Sequence, residues 1–114
     1  MSITIWHNPR CSSSRKALEL LQQNGCDPVV RLYLTDPPSV AEINDIQQKL
    51  NQPVSSFTRS NEAIYSELGL AETSENTILA AAISAHPVLL QRPIVVSKTN
   101  AAIGRPPETV LSIL

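Results

Sequence analysis

Short apolar runs along the chain alternate with stripes of apolar residues at helical spacing. Four runs are rich in β-branched or small apolar residues and predict strands: residues 3–6, 29–34, 94–96 and 101–103. Between the first two runs, residues 17–21 carry a helically spaced apolar stripe, and Gly25 follows as a stop signal. The first third of the chain therefore predicts a strand, a helix and a second strand.

The middle of the chain has a helical pattern. Ser39 followed by Glu42 is a capping box, and apolar residues at helical spacing extend the helix that it starts. Residues 54–90 are helical in pieces, and the last piece ends at His86, because a residue before proline avoids the α region. A final helix is predicted to open at Pro106, since proline suits the first helical turn.

The order of these elements predicts the fold. A βαβ unit followed by an antiparallel ββα unit is the plan of the α/β thioredoxin-like fold, with a four-stranded mixed sheet. The helices at about 39–90 form a helical insertion between the two halves of this plan. With 114 residues, the chain is long enough for one domain and too short for two typical ones. We therefore predict a single domain over residues 1–114.

Composition and charge narrow the class of protein. Hydrophobic residues make up 42% of the chain and the net charge is −1, which argues against a broad nucleic-acid face or a polybasic membrane patch. The N-terminus lacks a secretory pattern, and the longest apolar run, residues 78–83, is too short to cross a bilayer. Two cysteines cannot form a disulfide framework. We expect a cytoplasmic monomer that binds neither nucleic acid nor membrane and holds no metal or bound cofactor.

The sharpest local feature is the segment His7-Asn8-Pro9-Arg10-Cys11-Ser12-Ser13-Ser14-Arg15, between the first strand and the first helix. At the start of a helix, the N–H groups of Ser13 and Ser14 have no helical partners and favour a negative sulfur on Cys11. Such sites lower a thiol pKa from about 8.5 to between roughly 3.5 and 7.5. The same N–H groups form an anion cradle, so the segment indicates attack by sulfur on a bound oxyanion. The alternative is that Cys11 is a small buried apolar residue.

Cys26 is the obvious candidate for a second reactive thiol, and geometry argues against it. It lies 15 residues after Cys11, at the far end of the predicted helix, which corresponds to roughly 20 Å. A disulfide needs Cα atoms no more than about 7 Å apart. We therefore expect Cys26 to be a packing residue, and any thiol that resolves chemistry at Cys11 to come from another molecule.

Several other polar residues are candidates for the same site. Arg92-Pro93 directly precedes the third strand, where the proline of a thioredoxin-like fold is commonly cis and faces the reactive cysteine. Arg105 lies between Gly104 and Pro106, at the end of the fourth strand. Arg59 has no local pattern that distinguishes it from a solvated charge.

These motifs together resemble the glutaredoxin-coupled arsenate reductase family. The resemblance is carried by His-Asn-Pro-x-Cys-x-x-Ser-Arg at 7–15, Arg-Pro-Ile-Val-Val at 92–96 and Gly-Arg-Pro-Pro-Glu at 104–108, and it covers nearly the whole chain. It is closest to the short bacterial arsenate-reductase-like members. Better-known members have Gly-Thr where this chain has Ser12-Ser13, and a small residue at the position of Arg10.

The resemblance implies a mechanism and a set of site residues. Cys11 would attack arsenate, glutathione would act as co-substrate and reduce the adduct, and glutaredoxin would remove the glutathionyl group as arsenite leaves. The family arginines that hold the oxyanion match Arg59, Arg92 and Arg105. The family histidine that depresses the thiol pKa matches His7, and a hydroxyl that contacts the sulfur matches Ser14.

Two other functions compete with the reductase. The first is a redox-responsive transcriptional regulator of the same fold that binds RNA polymerase; such regulators typically have a second cysteine at the position of Ser14 and lack an arginine at that of Arg105. The second is a thiol reductase that acts on another oxyanion or substrate, such as glutathionylated proteins, although the Cys-Pro-Tyr motif of glutaredoxins is absent. Ser14 and Arg105 both favour the arsenate reductase.

Overall fold

The computed structural model describes residues 2–114. The described chain forms two compact units, the first comprising the residues up to Asp36 together with Arg92–Leu114, and the second comprising Pro37–Gln91. The second unit spans nearly the stretch for which the sequence predicts a helical insertion. We describe each unit separately.

The first unit contains a four-stranded mixed sheet. Its strands are β1 (Thr4–Trp6), β2 (Val29–Arg31), β3 (Ile94–Val96) and β4 (Ala101–Ile103). They lie in the order β2-β1-β3-β4, with β1 parallel to β2 and antiparallel to β3, and β3 antiparallel to β4. The helix α1 (Ser12–Gln23) connects the two parallel strands, as a parallel pair requires. This arrangement confirms the predicted α/β thioredoxin-like fold.

One apolar core lies between the sheet and two helical elements. Helix α1 packs against a 3₁₀ helix at Pro107–Ile113, and that helix also packs against β3 and β4. The buried residues of this core come from all of these elements: Ile3, Ile5, Ala17, Leu21, Val95, Ala102, Val110 and Ile113. Ala17 and Leu21 are four residues apart, so they lie on the same face of α1.

Element boundaries differ from those predicted at three places, the first being β1, which begins at Thr4 rather than at Ile3. Strand β2 ends at Arg31 rather than at Leu34, because the chain turns where the Thr35 and Asp36 N–H groups both donate to the Leu32 carbonyl. The last helix begins at Pro107 rather than at Pro106 and is 3₁₀ rather than α. Three residues per turn place residues 110 and 113 on one face, and both are buried.

The second unit is helical. It contains α2 (Val40–Leu50), α3 (Ala63–Glu67) and α4 (Asn76–Ala85), with 3₁₀ turns at Val54–Phe57 and Pro87–Leu89. The predicted capping box is confirmed: the Glu42 N–H donates to Ser39 Oγ at 3.1 Å, and the Ser39 N–H donates to Glu42 Oε1 at 2.9 Å. Helices α2 and α4 pack together. Helix α4 ends at Ala85, before His86, as predicted. Among the described residues, no helix is both long and apolar enough to cross a membrane.

Gly104 holds two segments of the first unit close together. Its N–H donates to the Pro93 carbonyl at 2.8 Å, and a Cβ at this position would lie 2.5 Å from Pro93 Cγ and 3.1 Å from Val110 Cγ1. Such distances leave no space for a methyl group. A glycine is therefore required directly after β4, where the chain passes close to Pro93, the residue before β3.

We predict that Gly104→Ala lowers the free energy of unfolding by about 1–3 kcal/mol, as overpacking of a well-packed core does. Urea denaturation of the variant and the wild type measures this difference. Ala101→Gly, in the adjacent strand β4, is the control for an exchange between alanine and glycine at a half-buried position without a clash. Equal stability of Gly104→Ala and the wild type would show that the Pro93 ring moves freely aside.

Candidate active site

Cys11 lies at the exact point where the loop after β1 becomes helix α1. It is the N-cap residue of α1, with extended backbone angles of φ −92° and ψ 123°, and it is half-buried. The loop is held by its own hydrogen bonds: the Cys11 N–H donates to the Asn8 carbonyl at 3.0 Å, and the Arg10 N–H donates to Asn8 Oδ1 at 3.0 Å. Arg15 Nη1 donates to the Pro9 carbonyl at 2.9 Å. The sulfur is thus placed at the N-terminus of α1 by a fixed backbone.

The surroundings of the Cys11 sulfur favour its thiolate. Burial by itself raises the pKa of Cys11, but this effect is outweighed by the backbone N–H groups of Ser14 and Ser13 and by the Arg92 guanidinium. Arg92 lowers this pKa both as a donor near the sulfur and through its positive charge. The pKa of Cys11 therefore lies below its ordinary value, as a helix N-terminus with a nearby cation predicts.

Behind the sulfur, His7, Asn8 and Ser14 form a buried polar cluster. Ser14 Oγ lies 2.6 Å from His7 Nδ1 in a hydrogen bond, and it accepts a second hydrogen bond from the Asn8 N–H at 3.0 Å. Burial, assisted by the positive charge of Arg15, lowers the pKa of His7, so the imidazole is neutral at pH 7. The Ser14 hydroxyl is thus engaged by His7 and Asn8, and the group of Ser14 that stabilises the thiolate is its backbone N–H.

Two of the three predicted arginines meet at this site. Arg105 Nε donates to the Arg92 carbonyl at 2.9 Å, and Arg105 Nη2 lies 3.8 Å from Cys11 Sγ. The peptide bonds Arg92-Pro93 and Arg105-Pro106 are both cis. The chain segments before β3 and after β4 therefore bring two guanidinium groups to the sulfur of a third segment.

Arg59 belongs to the second unit. Its Nη1 forms an ion pair with Glu62 Oε1 at 2.6 Å, and its N–H donates to the Leu89 carbonyl at 2.6 Å. The ion pair holds the guanidinium on its own unit, where it is half-buried. A role for Arg59 at Cys11 stays a prediction.

The chain as a whole is similar to known arsenate reductases. Residues 6–113 match the ArsC family. A Haemophilus influenzae protein named arsenate reductase is 44% identical over 116 residues, which cover 100% of each chain.

The chain belongs to the ArsC family.

Further relatives agree with this assignment. The solved structure of an arsenate reductase from Vibrio cholerae is 45% identical, with a TM-score of 0.94 over 100% of this chain and 98% of that one. The Escherichia coli protein YfgD, which is named as uncharacterized, is 44% identical over 115 residues, covering 98% of this chain and 96% of its own. The fold and family of this ArsC-family chain are therefore established, and its substrate is a separate question.

Tyr33 was not singled out by the sequence analysis, yet it belongs to this site. Its side chain is fully buried, and neither its Oη nor Arg92 Nε has a hydrogen-bond partner within the described part of the chain. Burial raises the pKa of Tyr33, against opposing effects of Arg92 and Asn8, which lie close to the hydroxyl. The sequence offers one indication of this role: a tyrosine stands alone between Leu32 and Leu34, two apolar residues that are exposed in this structure.

An open cleft runs beside the Cys11 loop in the same unit. Its volume is about 550 Å³. Its walls combine polar and charged groups of the loop with apolar residues that follow β2: His7, Asn8, Pro9, Arg10, Leu32, Leu34, Thr35 and Arg92. The cleft can admit a small molecule next to the reactive segment.

The second cysteine of the ArsC-family chain lies elsewhere. Cys26 is a free thiol that packs against the apolar core of the first unit, as expected for a packing residue. Cys11 is also a free thiol. Residues 2–114 contain no cluster of three or more His, Cys, Asp or Glu side chains that could hold a metal ion.

We predict that Arg92→Gln raises the pKa of Cys11, because the variant loses a positive charge and a hydrogen bond to the thiolate. The rate of iodoacetamide alkylation as a function of pH measures this pKa. Arg10→Gln is the matched control, since Arg10 is adjacent in sequence but does not contribute to the lowered pKa. An alkylation profile of Arg92→Gln that coincides with that of the wild type would contradict the role of Arg92.

Proposed function

We propose that this protein is an arsenate reductase in which Cys11 is the nucleophile and glutathione with glutaredoxin supplies the electrons. The observation that carries the proposal is the juxtaposition of a stabilised thiolate with the free N–H groups of a helix N-terminus and two arginines. Backbone N–H groups and guanidinium groups are the donors that bind tetrahedral oxyanions. The family assignment indicates which oxyanion to test.

The first step forms a bond between sulfur and arsenic. The Cys11 thiolate attacks arsenate, and an arsenate oxygen leaves as water after it has taken up protons. Arg92 and Arg105 neutralise the charge of the anion and keep it beside the thiolate. Without these arginines, the negative charges of the anion and the thiolate would repel each other. Arg59 is the third arginine that the family resemblance assigns to this task.

The second step needs a thiol from outside the chain, because Cys26 follows the C-terminal end of α1 whereas Cys11 caps its N-terminus. Glutathione attacks Cys11 Sγ of the adduct, so that a mixed disulfide forms and arsenic leaves with the bonding electron pair as arsenite. Arsenic is thereby reduced from the +5 to the +3 state. Glutaredoxin then removes the glutathionyl group from Cys11. We propose that the cleft of about 550 Å³ beside the loop admits this second thiol.

His7 and Ser14 support the first step through the backbone. Their 2.6 Å hydrogen bond and the bond from the Asn8 N–H to Ser14 Oγ fix the loop against the first turn of α1. Fixed donors cost little reorganisation when the charged group binds.

A chemistry that depends on free thiols suits the reducing cytoplasm, and we propose that the protein works there as a monomer.

We predict that Cys11→Ser abolishes arsenate reduction and that Cys26→Ser retains it. The assay follows NADPH oxidation with arsenate, glutathione, glutaredoxin and glutathione reductase. Cys26→Ser is the matched control because it removes the other thiol of the chain. Turnover that survives in Cys11→Ser would contradict the nucleophile, and absence of turnover in a folded wild type with a reactive Cys11 would direct the search to another oxyanion or to RNA polymerase binding.

We predict that Arg105→Gln lowers kcat/KM for arsenate by tenfold or more. Loss of a charge-assisted hydrogen bond to an anion costs about 1.5–3 kcal/mol, and 1.4 kcal/mol corresponds to about a tenfold change. Lys98→Gln, in the turn between β3 and β4, removes an exposed positive charge of the same unit and serves as the control. Equal losses in both variants would indicate a general effect of charge rather than a contact at the site.

A further inference from the structure

The Tyr33 hydroxyl is an unexplained polar group in the interior of the first unit. Tyr33 is 0% exposed, and its Oη has no hydrogen-bond partner within residues 2–114. Arg92 Nε is likewise buried without a partner. A buried polar group without a partner is destabilising, and each such group in a native protein requires an explanation. Two of them beside the same thiolate indicate that something absent from the protein itself completes the site.

The neighbours of the Tyr33 hydroxyl are hydrogen-bond donors. A guanidinium group has only N–H groups to offer, so Arg92 can only donate. Asn8 Oδ1 accepts a hydrogen bond from the Arg10 N–H, which leaves the amide N–H groups of Asn8 on the other side. Burial raises the pKa of Tyr33 and both residues oppose that rise, as donors near its oxygen do, although neither forms a hydrogen bond to it. The groups near the hydroxyl oxygen of Tyr33 are therefore donors, and none of them can accept the hydroxyl proton.

The proton of Tyr33 needs an acceptor that the protein does not provide. The nearby acceptor in the chain is the Cys11 sulfur, whose negative charge raises the pKa of Tyr33. That sulfur already receives the N–H groups of Ser13 and Ser14 and a hydrogen bond from Arg92, and Tyr33 Oη makes no hydrogen bond to it. Among residues 2–114 no group accepts this proton, whereas an oxygen of an anion bound next to the sulfur can accept it. A tetrahedral oxyanion has four oxygens and can satisfy both Tyr33 Oη and Arg92 Nε.

We propose that Tyr33 is a substrate-binding residue, whose hydroxyl donates a hydrogen bond to an oxygen of the tetrahedral oxyanion held at Cys11, beside the Nε of Arg92. This inference rests on the proposed function for the identity of the anion as arsenate. A hydroxyl that keeps its own proton at neutral pH suits this position, because it can donate that proton in a hydrogen bond to an oxygen of the anion. The tyrosine thus adds a neutral donor at the buried end of a site whose Arg105 is exposed.

Tyr33→Phe tests the proposal because it removes the hydroxyl and leaves the ring. The other tyrosine of the chain provides the matched control, Tyr65→Phe, in α3 of the second unit. Two measurements need no turnover: the arsenate concentration that protects Cys11 from iodoacetamide, and the rise in Tm that arsenate produces. We expect Tyr33→Phe to require about tenfold more arsenate for protection, which is the usual effect of one hydrogen bond to a charged group, and to show a smaller rise in Tm. Tyr65→Phe should match the wild type in both.

Stability without arsenate separates a binding role from a structural one. Because the hydroxyl has no partner, Tyr33→Phe should be at least as stable as the wild type when no anion is present. A variant that is destabilised but needs no more arsenate than the wild type would overturn the proposal. So would a variant with a raised Cys11 pKa and unchanged protection, since the proton would then go to the sulfur.

Failure of the proposed function has a different signature. If arsenate protects the wild type and protects Tyr33→Phe less well, but the wild type reduces no arsenate, Tyr33 binds an oxyanion and the reductase proposal is wrong. If the wild type reduces arsenate and Tyr33→Phe has the same KM and the same protection, the reductase stands and the assignment of Tyr33 is wrong. If arsenate does not protect the wild type at all, no oxyanion site exists at Cys11 and both proposals are wrong.

Discussion

The unsatisfied N–H groups at the start of α1 are the interaction on which the candidate site depends. A helix leaves its first N–H groups without helical partners, and these groups favour negative charge. Because Cys11 is the N-cap residue, its sulfur lies where Ser13 and Ser14 present those N–H groups. Burial alone would raise the pKa of Cys11, so its lowered pKa depends on these donors and on Arg92. A cysteine with a lowered pKa and a set of N–H groups without helical partners thus arise from one structural feature.

The mixed sheet determines which other residues reach this sulfur. Strand β1 lies in the middle of the sheet, between parallel β2 and antiparallel β3. The loop that leaves β1 therefore lies next to the residues that enter β3, and the end of β4 lies next to those. Arg92 and Arg105 stand at these two points, and the bond from Arg105 Nε to the Arg92 carbonyl ties them together. The close approach at Gly104 keeps the two segments in contact.

The buried polar groups near the Cys11 sulfur are of two kinds, those with hydrogen-bond partners and those without. Ser14 Oγ is buried and hydrogen-bonded both to His7 Nδ1 and to the Asn8 N–H, which fixes the loop. Tyr33 Oη and Arg92 Nε are buried without partners. A satisfied cluster stabilises the fold in the absence of ligand, whereas unsatisfied donors gain a partner only when a ligand binds. The contrast separates the residues that build the site from Tyr33 and Arg92, which we propose bind the anion.

The position of Cys11 at the start of α1 and its lowered pKa could be predicted from the sequence because both depend on local geometry. The pattern of apolar runs, the capping box at Ser39 and the polar segment before α1 each act over a few residues, and the fold they predict is the one observed. The end of β2 at Arg31 and the 3₁₀ geometry of Pro107–Ile113 could not be predicted, because they depend on turn hydrogen bonds and on packing against α1 and the sheet. The contact of Arg105 with the sulfur joins residues 94 positions apart, and only the folded sheet brings them together. Tyr33 is the clearest case: its sequence neighbours describe an ordinary apolar run, and only burial beside Arg92 and Asn8 leaves its hydroxyl without a partner.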